Sequence, residues 1–108
     1  MNPPLSRKSP GKPQAGPWTF LSNHAHVLIC LALEPTLRIQ DLADRVGITY
    51  RAVQRILDDL EAAGYLSRSR RPDDARSNQY QVNVDLPLRH PIEQHQRVSA
   101  LLELGAVR

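Results

Sequence analysis

A chain of 108 residues with 41% hydrophobic and 23% charged side chains has the make-up of one soluble globular domain with a single core. No apolar run approaches the ~20 residues that cross a bilayer, and the N-terminus lacks the apolar stretch of a secretory signal, so a cytoplasmic protein without a membrane partner is expected. The formal net charge of +3 comes from Arg7, Lys8 and Lys12 near the N-terminus, because the chain beyond residue 17 balances eleven basic against eleven acidic side chains. An electrostatic case for a polyanionic partner therefore rests on clustering within the fold.

Residues 1–17 hold five of the nine prolines and both lysines, too little apolar surface to offset the entropy of ordering, and are read as a disordered, basic, proline-rich tail. Ser22 or Asn23 then offers a helix cap ahead of "HAHVLICLALE", which stops at Pro35. Val27, Leu28, Ile29, Leu31 and Leu33 face several directions, so this helix needs cover on more than one side. "TLRI" is a short extended piece, followed by a short helix, "QDLADRV", with Leu42, Ala43 and Val46 on one face.

Gly47 suits the left-handed turn that ends that helix, and Thr49 suits the cap of the next, predicted over residues 50–63 and stopped by Gly64. At ~100° per residue, Ile56, Leu57 and Leu60 fall within about 60° of Val53, while Arg51 and Arg55 lie about 160° away. Asp59, four residues after Arg55, is placed for an ion pair on the helix surface. "YLSRSRR" and "NQYQVNV" alternate as half-buried strands do, and "PDDARS" between them has hairpin-turn chemistry. "DLPLRH" leads into a last helix opened by Pro91 and carrying Ile92, Val98, Leu101, Leu102 and Leu104.

The segment "LADRVGITYRAVQRIL" meets the three needs of a helix-turn-helix: a small residue where the helices cross (Ala43), a permissive turn (Gly47), and apolar anchors (Leu42, Val46, Ile48, Val53, Ile56). The fold class expected is mainly α with a small two- or three-stranded antiparallel sheet (α+β), a winged helix-turn-helix over residues 18–88 with a C-terminal helix in 89–108. This order of elements resembles the winged helix-turn-helix transcriptional regulators, most closely the MarR-like group. The turn, helix and first strand in "VGITYRAVQRILDDLEAAGYLSRSR" and the Asp74-x-Arg76 wing tip carry the resemblance. It implies a cytoplasmic, nucleoid-associated regulator of transcription that binds double-stranded DNA. The alternative is an interaction module of the same fold that binds a protein or RNA.

The resemblance implies that the helix from Tyr50 enters a major groove, with Arg51 and Arg55 reaching guanine edges or phosphates and Gln54 pairing with adenine. Thr49 and Tyr50 would touch phosphate oxygens, and Arg68, Arg70, Arg71 and Arg76 of the wing would lie on the backbone or in the minor groove. Asp58, Asp59 and Glu61 would repel phosphate if they faced it. One such domain reads about half a turn of groove, so a homodimer is expected, its interface drawn from Val27, Leu31, Ile92, His95, Val98, Leu101 and Leu102. Folding of the last helix back onto its own domain is the alternative.

A single cysteine, Cys30, permits no internal disulfide and is read as a core thiol. His24, His26 and Cys30, with His90 or His95 across a dimer, lack a tight Cys-x-x-Cys or His-x-x-x-His pair, so no metal and no cofactor is expected. Neither G-x-S-x-G, a phosphate-binding loop nor a paired catalytic carboxylate is present, and an enzyme is not expected.

Overall fold

The computed structural model describes residues 16–106, with the side chains of residues 75–77 left aside. The tail expected over residues 1–17 thus lies outside the described residues except for Gly16 and Pro17. Four helices and one two-stranded sheet follow in the order α1 (Asn23–Leu33), α2 (Ile39–Val46), α3 (Tyr50–Ala62), β1 (Leu66–Arg71), β2 (Asp74–Val82) and α4 (Val98–Glu103).

Local chemistry sets most of these boundaries. Ser22 caps α1, its Oγ accepting from the Ala25 N–H at 3.2 Å, and the helix stops where Glu34, held extended by the proline after it, leaves helical geometry. The Asp41 carboxylate accepts from the Arg38 N–H at 3.2 Å to start α2, and Gly47 closes it with φ of 82°. Thr49 Oγ1 then accepts from the Ala52 N–H at 3.0 Å to start α3, which ends before Gly64 at φ 85°. The loop between α2 and α3 is three residues long, as the sequence led us to expect.

The core is one cluster under the crossing of α1, α2 and α3. Val27, Leu31, Leu42, Val53 and Leu57 are dry at its centre, and Leu60, Leu66, Tyr80 and Val98 close it from the sheet and α4. In the antiparallel sheet Leu66 faces Val82 and Arg68 faces Tyr80, with a bulge between Arg70 and Arg71. "TLRI" supplies no third strand: Ile39 already belongs to α2, and the segment's one link to the sheet is the Tyr80 N–H donating to the Pro35 carbonyl at 3.0 Å. β2 begins at Asp74, so the wing turn is only Pro72 and Asp73, tighter than the six-residue "PDDARS" suggested.

The C-terminal part departs most from expectation. Residues 91–95 form turns, not a helix opened by Pro91, and α4 is only six residues long. Among residues 90–97 only Ile92 is strongly apolar, and it is 76% exposed, so a helix there would have no face to bury. The segment instead doubles back on itself, the Leu88 N–H donating to the Gln96 carbonyl at 2.8 Å and the Val98 N–H to the Leu86 carbonyl at 2.9 Å. Tyr65 anchors it, its hydroxyl donating to the Pro87 carbonyl at 2.5 Å.

This arrangement corrects the expected dimer interface. Val27, Leu31, Val98 and Leu101 are buried in the chain's own core, where α4 packs directly on α1. Ile92 and His95 are exposed and Leu102 is half-buried. Past α4 the backbone at Gly105 presses on Ile29, whose Cγ2 occupies the space a Cβ would need. Gly105→Ala should therefore overpack this contact and destabilise the chain by about 1–3 kcal/mol, read as a lower thermal midpoint, and Ile29→Ala in the same chain should recover part of the loss.

Candidate nucleic-acid interface

Helix α3 has two unlike sides. Val53, Ile56, Leu57 and Leu60 are buried, so the 100° step turns Arg51, Gln54 and Arg55 into solvent, where Tyr50 joins them at the helix start. Neither Arg51 nor Arg55 makes an ion pair among the described residues, and the expected Arg55–Asp59 pair does not form. Asp59 turns to α1 instead, its Oδ2 lying 2.9 Å from His24 Nε2. Thr49, beside them, points its Oγ1 at the helix backbone as the cap.

The acids that threatened this face have partners of their own. Glu61 takes both arms of the Arg68 guanidinium, Nε donating at 3.3 Å and Nη2 closing the fork, with Asp58 Oδ1 3.7 Å from the same Nη2. Hydrogen bonding to Glu61 pushes the Arg68 pKa up, a sign that its charge is already matched inside the protein. At the C-terminal half of α3 Arg68 offsets part of the acidic charge, while the N-terminal half keeps two unmatched guanidinium groups.

For the wing, this is a correction. Arg68 is not presented to solvent as a phosphate contact: its side chain is only 28% exposed and is enclosed by Glu61, Asp58 and the Tyr80 ring. Arg71 forks onto Asp73 across the wing turn, Nε donating at 3.1 Å and Nη2 at 2.8 Å. Arg70 is exposed, and the side chain of Arg76 lies outside the described residues. The dense basic cluster of the wing is thus partly matched by its own acids.

Arg38 was missed by sequence reading. It sits exposed at the cap of α2 and, with Thr36, Gln40, Tyr50 and Asn78, lines an open groove of about 500 Å³ between the starts of α2 and α3 and the wing. The available signal was positional: a cation just before a helix whose first N–H groups face outward. A larger groove of about 820 Å³ lies on the side of His24 and Asp59, lined also by Phe20, Leu28, Leu60 and His90.

The match to known proteins fits this geometry. The model of the MarR family covers residues 22–77, just over half of the chain, from the cap of α1 to the wing. The chain belongs to the MarR family. MarR proteins are winged-helix DNA-binding transcription regulators. Similar solved structures include Streptococcus pneumoniae FabT in complex with DNA, at 22% identity and a TM-score of 0.50 over 56% of this chain and 42% of that one. PcaV from Streptomyces coelicolor is 27% identical with a TM-score of 0.50, over 57% and 46% of the two chains. A mutant of S. aureus MepR is 18% identical with a TM-score of 0.56, over 80% and 56%. The chain therefore spans about half the length of these solved relatives. No curated protein matches the sequence.

Other features of this MarR chain stand apart from the α3 face. No helix among the described residues is long and apolar enough to cross a membrane. Among those residues no three His, Cys, Asp or Glu side chains gather as a metal site; His26 hydrogen-bonds Asn23 at 3.2 Å and His24 holds Asp59. Cys30 is half-buried against the core, and burial pushes its thiol pKa up. Alkylation of the native chain by iodoacetamide should accordingly be slow at neutral pH and rise with pH through an inflection above that of the urea-unfolded chain, followed by mass spectrometry.

Proposed function

We propose that the chain is a sequence-specific regulator that lays α3 in the major groove of double-stranded DNA and sets its wing on the backbone or in the minor groove. The observation that carries this reading is the exposed, unmatched pair Arg51 and Arg55, flanking Gln54, on the face of α3 opposite the dry Val53 and Leu57. Two guanidinium forks one turn apart suit guanine O6 and N7 or neighbouring phosphates, and the Gln54 amide suits adenine. Thr49, Tyr50 and Arg38 border the same face and contact phosphates, with Arg70, Arg71 and Arg76 extending the contact along the wing. The known association of the MarR family with DNA supports the class of ligand. Such a regulator works at the nucleoid.

One domain covers about half a helical turn, and two-fold pairing doubles the sequence read. We place the pairing surface on Ile92, His95 and Leu102 of the C-terminal part, together with the exposed Trp18, Phe20 and Leu104. Trp18 and Phe20 meet edge to face at 4.9 Å between ring centroids, with Phe20 91% exposed, an apolar load that monomers seldom leave in water.

Selection of bound fragments from random duplex should enrich a two-fold palindrome, with affinity falling steeply as salt rises. No binding at low salt would instead favour a protein or RNA partner. Arg51→Ala and Arg55→Ala should each cost about 1–3 kcal/mol and relax preference at one base position; loss without a change in preference reassigns that side chain to phosphate. Phe20→Glu with Ile92→Glu should shift sedimentation from dimer to monomer, and an unchanged dimer would remove this surface from the interface.

A further inference from the structure

Arg68 stands where three parts of the fold meet. Its guanidinium forks onto Glu61 near the end of α3, through Nε at 3.3 Å and through Nη2. Its Cζ lies 5.7 Å from the centre of the Tyr80 ring, the residue that faces it across the ribbon. Tyr80 in turn donates its N–H to the Pro35 carbonyl at 3.0 Å, in the loop between α1 and α2. The Arg68 side chain thus links the end of α3 to both wing strands, and the Tyr80 backbone ties the ribbon to the loop between α1 and α2.

We propose that Glu61 and Arg68 are positioning residues that set the angle between α3 and the wing, so that both elements meet one duplex at once. The inference rests on the DNA-binding reading above. A two-stranded ribbon is marginally stable by itself, and this one enters the body at its base through Leu66, Tyr80 and the Arg68 fork. Apolar contacts at the base fix the ribbon's depth but are non-directional. The planar, two-point fork is directional, and a point-charge ammonium cannot reproduce it. At roughly 3.3 Å per residue the turn at Pro72 lies about 13 Å beyond Arg68, so a swing of ~15° at the pivot moves the tip by ~3 Å, the length of a hydrogen bond.

The opposite role, Arg68 as a direct phosphate contact, predicts the opposite sign. If Glu61 only masks a phosphate-binding cation, Glu61→Gln frees Arg68 and tightens binding. If the pair sets the wing angle, Glu61→Gln weakens binding to a 25-bp random duplex at 0.1 M salt by about 5–10-fold and lowers the slope of log K against log salt by about 1. Arg68→Lys should weaken binding similarly although charge is kept. The reversed pair, Glu61→Arg with Arg68→Glu, should restore most of the affinity, an outcome that direct phosphate contact by Arg68 excludes.

A readout without DNA completes the test. Spin labels on cysteines placed at Gln54 and Gln79, both exposed, in full-length chain carrying Cys30→Ala, report the helix-to-wing distance. The distribution should be narrow with the native pair, broad with Glu61→Gln, and narrow again with the reversed pair, at unchanged helical circular dichroism. A distribution that Glu61→Gln leaves narrow, or tighter DNA binding by that variant, overturns the proposal. A native chain that binds no duplex overturns the DNA reading, while the label distances still decide whether the pair sets the wing.

Discussion

Val53 and Leu57 can be dry only if Arg51 and Arg55 are wet. They occupy one rigid rod with a fixed angular step, and the core gains the removal of both aliphatic side chains from water, on the order of 1.5–3 kcal/mol each. No side-chain rotation of modest cost exchanges those faces. The orientation of the proposed reading surface is therefore a by-product of core formation, and every other element serves to hold the rod that way round. α1 and α2 cover its buried side, Gly47 supplies the turn that brings α2 across it, and the sheet and α4 close the ends of the cavity.

Electrostatics refine what packing leaves outside. The exposed stripe of α3 carries its arginines, Arg51 and Arg55, in the first half and its acids, Asp58, Asp59 and Glu61, in the second. Folding supplies the acids with partners. His24 from α1 meets Asp59, and Arg68 from β1 takes Glu61 with Asp58 nearby, so acids toward the C-terminal end are answered by neighbours distant in sequence. The uncompensated positive charge is then concentrated toward the start of the helix. Individually these exposed or half-exposed pairs contribute little to stability; their greater effect is to shape the field over one surface.

Much of this was legible in the residues because it depends on short-range rules. Caps at Ser22 and Thr49, the stops at Gly47 and Gly64, and the apolar period of α3 are local, and the helix-turn-helix followed from them. The ribbon's strands were legible from alternation, although the tight turn at Pro72 and Asp73 and the bulge at Arg70 and Arg71 were not, since register depends on the partner strand. What stayed hidden required knowing who sits beside whom. A basic run such as "SRSRR" looks like an open cationic patch until the fold delivers Glu61 to Arg68. An apolar helix such as α4 looks like a docking surface until its six residues are seen to fill the hollow beside α1. Arg38 escaped notice for the same reason, since its setting is made by Tyr50 and Asn78 from elsewhere in the chain.

The single backbone tether from Tyr80 to Pro35 has a colloidal consequence. A hairpin with no third strand carries a row of unpaired amides and carbonyls along each rim, a template on which a second copy can zip. Pro35 closes one rim at one point near the body, and beyond it the protruding portion relies on other protections. The bulge between Arg70 and Arg71 twists it away from the flatness that stacking requires. That irregularity therefore serves solubility whether or not the wing ever touches a polyanion.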